Sequence, residues 1–171
     1  GYLETDGSHY WLSARVLRFA GSYMATSRLP RALQPTLNRL ALQTQASFSA
    51  VVLDGDECVI VARSAGVAEP VRHLAYGLHL GARLPAHATV LGRLLLSDLS
   101  MEELSLLYPE KRLPQYTDKT PTTLKQLKTL IDADRAAGYG LSQGGFETGI
   151  STIAAPVFND EQRVVAAISI T

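Results

Sequence analysis

GLHLGARLPAHATVLGRLLLS, residues Gly77 to Ser97, is an extended segment, a proline-marked corner and then a helix that is apolar almost all the way round. Pro85 lacks the N–H and the freedom in φ that a helix interior needs, so the helix must begin after it. Ala88, Leu91 and Leu95 share one face at helical spacing and Val90 and Leu94 cover another. A helix apolar on most sides is buried. Gly92 in its interior is about 1 kcal/mol worse than alanine, a loss that close approach by another backbone explains. The helix start, with His87 and Thr89, therefore points into the protein. Its free N–H groups and partial positive charge of roughly half an electron leave two outcomes open. One is a receptor for a small anion such as a carboxylate at the end of a pocket. The other is an ordinary core helix capped by Thr89 or His87.

The rest of the chain has to supply that interior. Its 171 residues, 46% of them hydrophobic, suffice for one domain with a proper core and a small appendage. Sixteen basic residues balance sixteen acidic ones, so no global charge calls for nucleic acid or a membrane. The balance is uneven: residues 1–40 carry +3, through Arg15, Arg18, Arg28, Arg31 and Arg39 against Glu4 and Asp6, and the remainder carries −3. The basic end either faces an anion or is a solvated surface. Cys58 is the only cysteine, so no disulfide forms within the chain and the cytoplasm is the expected compartment. No apolar run approaches the ~20 residues that span a bilayer. The chain starts at Gly1 without Met and reads as a fragment.

Along the chain, Tyr2-Leu3-Glu4 and His9-Tyr10-Trp11-Leu12 flank Asp6-Gly7, the pattern of a β-hairpin. Ser13 is placed to cap a helix over Ala14 to Thr26 with an apolar stripe of Val16, Ala20, Tyr23 and Met24. Leu29 to Pro35, with two prolines, predicts a boundary, and a helix follows from Pro35 to Thr44. Phe48–Leu53 and Cys58–Arg63 read as strands around Asp54-Gly55-Asp56-Glu57, with Val71–Leu78 as a third. Helices are expected over Met101–Tyr108, capped by Ser100, and over Pro121–Ala137, ended by Gly138. Ile150–Val157 and Val164–Ile170 are two more strands. The sum is an α+β domain, a mainly antiparallel sheet flanked by helices.

Catalytic patterns are sparse. Cys58 lies in an apolar strand, where a cysteine is normally inert. His9, His73, His79 and His87 have no metal-ligand spacing, and His73 and His79 would stand about 20 Å apart on an extended strand. No P-loop or GxGxxG run occurs. Asp132 and Asp134, two apart on a helix, do not face each other and read as solvated surface. No metal or cofactor is expected. Binding fits better. Ile150, Thr152 and Ala154 share one strand face, and Thr152 and Ser169 are hydroxyls in otherwise apolar strands. Buried hydroxyls need partners, either a ligand oxygen or a hydrogen bond within the sheet.

The run Arg83-Leu84-Pro85-Ala86-His87-Ala88-Thr89, followed by Gly92-Arg93-Leu94-Leu95-Leu96, is similar to the signature of the IclR family of bacterial transcription regulators. Gly138-Tyr139-Gly140 with Gly149 to Val157, and Val164 to Ile170, match it in the same order and spacing. Leu53-Asp54-Gly55 and Arg83-Leu84-Pro85-Ala86 most resemble the branch that regulates aromatic-acid catabolism, of the protocatechuate and β-ketoadipate type. The resemblance implies a GAF- or profilin-like effector-binding domain over residues 30–171, a linker helix over 13–29 and the wing of a winged helix-turn-helix over 1–12. It also implies a recognition helix before Gly1 and a terminal helix after the last strand.

It further implies an effector pocket between the sheet and the buried helix start. The backbone at Thr89, Val90 and Leu91 would receive the anion, Ser142, Thr152 and Ser169 would give polar side chains, and Tyr76, Leu84 and Ile150 an apolar wall. Relatives place acidic residues after the second match, whereas here Ser142-Gln143-Gly144-Gly145-Phe146-Glu147 keeps only Glu147 in the usual style, with Gly149 beyond it, which implies an altered effector. The family function is to sense a small organic carboxylate, here aromatic in type, and to modulate DNA binding by a homodimer or homotetramer through the N-terminal domain. Two rivals stand beside it: a small enzyme using Cys58 or His87, and a scaffold whose role is oligomerisation.

Overall fold

The computed structural model describes residues 1–65, 78–110 and 112–170. The chain opens with a hairpin, β1 (Leu3–Thr5) and β2 (Tyr10–Leu12), whose turn is held by Asp6 Oδ1 accepting from the Ser8 and His9 N–H groups, both at 2.8 Å. A 3-10 turn over Ala14–Val16 leads into α1 (Leu17–Thr26). Ser13 does not cap it: its hydroxyl instead donates to the Gly1 carbonyl at 3.1 Å, tying the turn back to the hairpin. The expected stripe of α1 is not buried either, for no residue of this helix is.

The helix expected from Pro35 begins earlier. Helix α2 runs unbroken over Arg28–Thr44 with Pro35 inside it. Pro30 falls in the first turn, where a missing N–H is harmless. Pro30, Leu33, Leu37 and Ala41 form a continuous buried stripe across Pro35. Burying that stripe against the sheet outweighs the single lost hydrogen bond at Pro35, because each buried leucine contributes about 1.5–3 kcal/mol.

The main sheet has six antiparallel strands in the order β5-β4-β3-β8-β7-β6. These are β3 (Phe48–Asp54), β4 (Glu57–Ser64), β5 (Arg83–Pro85), β6 (Gly140–Gln143), β7 (Ser151–Phe158) and β8 (Val164–Ile170). Alternation sorts the side chains between two faces. Ala50, Ala62 and Ala166 meet Leu33 and Leu37 of α2, while Val51, Cys58, Ile60, Ala154 and Ala167 enter the main core. A bulge in β4 opposite Ala50 and Val51 shifts the register, and this lets Ile60 and Ala62 serve opposite faces. The third strand expected at Val71–Leu78 lies, but for Leu78, outside the described residues, as does His73.

Over the second face lie α3 (Val90–Leu95), α4 (Met101–Leu107) and α5 (Leu124–Ala137). Ser100 caps α4 in a reciprocal box with Glu103. An equivalent box between Thr123 and Gln126 starts α5 three residues beyond the expected Pro121, and Gly138 at φ 77° ends it. Every residue of α3 is buried, as its composition predicts. An added Cβ on Gly92 would overlap the Ala86 carbonyl, so the close backbone approach inferred from this glycine is present. Among the described residues no helix is long and apolar enough to cross a membrane.

Candidate functional site

The corner that follows Pro85 is built by hydrogen bonds from its own residues. Thr89 is the N-cap of α3, its Oγ1 accepting from the Gly92 N–H at 3.2 Å and donating to the Pro85 carbonyl at 3.2 Å. That cap uses the Gly92 donor and leaves the Val90 and Leu91 N–H groups with no acceptor inside the helix. Beside them is a cavity of about 80 Å³ between α3 and the sheet. Its floor is the sheet: Ser49 on β3, Ile60 on β4, Leu84 on β5, Thr152 on β7 and Ser169 on β8. Its roof is Ser142 of β6 together with Gly145, Phe146, Glu147 and Ile150 of the turn between β6 and β7.

The roof is tied down by two threonines. Thr117 Oγ1 donates to the Gly144 carbonyl at 2.6 Å and Thr120 Oγ1 to the Gly145 carbonyl at 2.7 Å. Gly144 (φ 79°) and Gly149 (φ 84°) supply the left-handed backbone with which the turn closes, through a Gly144 N–H to Ile150 carbonyl bond of 2.7 Å. Phe146 packs edge-on to Tyr116 at 4.9 Å, Tyr116 lies 5.9 Å from His87, and His87 is 5.9 Å from Tyr108. An aromatic row therefore runs from the roof to the back of the corner.

Leu84, Thr89, Val90, Leu91, Ser142, Ile150, Thr152 and Ser169 all line this one cavity. Tyr76, the remaining expected wall residue, lies outside the described residues. Sequence reasoning missed Ser49, Phe146 and Gly145. Ser49 had a readable signal, a hydroxyl facing inward beside Val51 in an apolar strand. Among the described residues no lysine, arginine or histidine lines the cavity, and Glu147 is the one charged residue there.

Behind α3, Arg93 is buried and its Nε meets Asp134 Oδ2 of α5 at 2.6 Å, while its Nη2 donates to the Leu141 carbonyl of β6 at 3.1 Å. This corrects the reading of Asp134 as solvated surface; Asp132 is the exposed partner of Lys128. Gly140 permits the packing, since a Cβ there would collide with the Val90 side chain.

The two groups considered for catalysis are poorly set for it. Cys58 is fully buried, and desolvation pushes its thiol up to about 12, with Thr89 Oγ1 at 4.0 Å as its polar neighbour. His87 is not on the cavity: its Nε2 meets the Pro114 carbonyl at 2.9 Å, and burial pushes its pKa down, favouring the neutral ring. At pH 8 we expect iodoacetamide to alkylate native Cys58 on the order of a thousandfold more slowly than free cysteine, whose pKa is ~8.5. Mass spectrometry of the native and the urea-unfolded chain measures this. A rate near that of free cysteine would refute the buried thiol.

Residues 21–171 match the family model of the bacterial transcriptional regulator IclR C-terminal domain. The chain belongs to the IclR family. Among its relatives is the Pca operon regulatory protein of Acinetobacter baylyi, 40% identical over 99% of this chain and 61% of that protein. The p-hydroxybenzoate hydroxylase transcriptional activator of the same organism is 46% identical over 99% of this chain and 63% of its own length. This IclR chain thus spans about three fifths of the curated relatives it matches, and they are regulators of the branch that the wording at 53–55 and 83–86 resembles. A solved structure, a double mutant of the PobR inducer-binding domain from Acinetobacter in complex with 3-hydroxybenzoic acid, superposes with a TM-score of 0.75. It is 40% identical, covering 84% of this chain and 82% of that one.

Proposed function

We propose that this IclR chain is the ligand-sensing part of a transcription regulator and that its cavity takes a small organic carboxylate. The observation that carries the reading is the cavity itself. Two helix-start N–H groups without an intrahelical acceptor and several hydroxyls converge on a space otherwise walled by apolar side chains. A pocket of that kind is the usual form of a small-molecule site. A carboxylate at Thr89, Val90 and Leu91 receives hydrogen bonds and the positive end of α3. Ser142, Thr152 and Ser169 supply further polar contacts, and Leu84 and Ile150 an apolar wall.

An aromatic acid of the hydroxybenzoate type is the effector class we favour, supported by the complex of the double-mutant PobR inducer-binding domain with 3-hydroxybenzoic acid. The cavity of about 80 Å³ is smaller than the ~150 Å³ that admits benzene, so an aromatic ring needs the lining to give way. Residues 1–12 are then the wing of a DNA-binding domain, 13–29 its linker and 30–171 the sensor, within a cytoplasmic homodimer or homotetramer that binds DNA. Sensing follows from binding one arrangement of the assembly better than another.

The test is a thermal-shift screen with 3-hydroxybenzoate, 4-hydroxybenzoate and aliphatic keto acids. A ligand at a hundred times its Kd adds about 2.7 kcal/mol, which is roughly 5–11 °C for a chain of this size. Thr152→Val combined with Ser169→Ala is expected to reduce the shift while the unliganded chain remains folded. No shift with any acid refutes the reading.

A further inference from the structure

Tyr108 follows the last turn of α4 and packs into the main core, its ring edge-on to His87 at 5.9 Å. The residue is 6% exposed, and among the described residues its buried Oη has no hydrogen-bond partner. Phenylalanine would fill the same space without the loss that a buried unpaired hydroxyl brings. Such a group calls for an explanation, and its surroundings supply one. Burial first, then Asp56 and Cys58, push the Tyr108 pKa up, while the His87 backbone acts the other way. A backbone group that favours the ionised phenol is a donor. The His87 N–H therefore faces Oη without bonding it.

The corner that carries this N–H stands between Tyr108 and the cavity. Ala88, Thr89, Val90 and Leu91 line the cavity, whereas His87 and Tyr108 do not. Gly92 lies against the Ala86 carbonyl, so the corner and the start of α3 shift together. At about 80 Å³ the cavity is too small for an aromatic ring, which needs ~150 Å³. The central strands of its floor are fixed by packing on both faces. A retreat of the corner enlarges the cavity and carries the His87 N–H toward Tyr108 Oη. A ligand shifts such an equilibrium only by what the enlarged state gains over the resting one. A hydrogen bond made only in the enlarged state adds to that difference.

We propose that Tyr108 is a positioning residue for the cavity: its hydroxyl accepts from the His87 N–H once the corner has moved back to admit a ligand, and holds the enlarged cavity open. Tyr108 touches no ligand itself. The role rests on the cavity being the carboxylate site proposed above.

Tyr108→Phe keeps the ring and removes only Oη. Unliganded, the variant should melt no lower than wild type and up to roughly 2–4 °C higher, because an unpaired buried hydroxyl is gone. In isothermal titration with benzoate, 3-hydroxybenzoate, 4-hydroxybenzoate and pyruvate, each acid that binds wild type should bind the variant about tenfold more weakly. A purely structural role would move stability and affinity in the same direction. Amide exchange followed by NMR on isotope-labelled chain reads the new bond directly. Saturating ligand should slow the His87 amide about tenfold in wild type beyond any slowing in the variant. Melting of the variant below wild type means that the hydroxyl is already satisfied in the unliganded chain. Unchanged affinity, or equal slowing of the His87 amide in both proteins, means that it is never engaged. Each of these results overturns the role of Tyr108 and leaves the carboxylate reading standing. Failure of every acid to bind wild type refutes the carboxylate reading and this role with it.

Discussion

Gly92→Ala is expected to destabilise the chain by about 3 kcal/mol or more, even though alanine is the better helix former by about 1 kcal/mol. The reason is what the new methyl group meets. It would overlap the Ala86 carbonyl, Cα and carbonyl carbon, which are backbone and have no rotamer into which to retreat. Relief therefore requires moving the Pro85–Thr89 corner. That corner is pinned by the Ala86 N–H to Asp56 carbonyl bond of 2.9 Å and by the Thr89 cap. Thermal denaturation followed by circular dichroism should show a fall of roughly 6–12 °C, at about 2–4 °C per kcal/mol. Because the displaced corner carries Thr89, Val90 and Leu91, ligand-induced shifts should shrink too. A rise in Tm would mean that helix propensity decides and that the backbones do not touch.

Arg93→Ala and Asp134→Ala should each cost about 3–5 kcal/mol, because each leaves the other charge buried without a partner. The side chains of the pair are 6% and 12% exposed, so water does little to rescue the survivor. Arg93→Met combined with Asp134→Leu should regain most of the loss, since an apolar pair of similar volume avoids desolvation altogether. Urea unfolding of the two alanine variants and of the variant that combines both alanines, analysed as a mutant cycle, measures the coupling. Single losses below about 1 kcal/mol would place the pair in the class of solvated surface bridges. Arg93 also holds the Leu141 carbonyl, so its alanine variant should lose more than that of Asp134.

What the sequence revealed and what it hid divide along local against distant causes. The buried helix after Pro85 was legible because proline and an all-round apolar pattern act within a few residues. The tight approach at Gly92 followed from the same logic. The cavity-lining positions on β7 and β8 were legible through period-two alternation and the family wording. Helix α2 was misread at Pro35 because the stripe that overrides the proline gains its energy from Ala50, Ala62 and Ala166, distant in sequence. Asp134 was misread because its partner stands 41 residues away. Strand β6 escaped notice because only Leu141 among Gly140–Gln143 is a large apolar residue, and its pairing with β7 defines it. Ser49 was missed although its inward-facing hydroxyl could be read from alternation with Val51, because its place on the cavity comes from the pairing of β3 with β8.

The cavity's floor and roof differ in how freely they can change. The floor belongs to the central strands, whose opposite faces also anchor α2, so altering its backbone would disturb both cores at once. The roof is a short glycine-closed turn fastened from outside by Thr117 and Thr120, and of its side chains Phe146 packs against the main core. Substitutions at the half-buried Ser142 and Glu147 can therefore reshape what the pocket accepts at little expense in folding free energy, whereas Gly144 and Gly145 are fixed by the backbone of the turn. A lineage of such domains can diverge in what the cavity accepts through this turn while its scaffold stays constant.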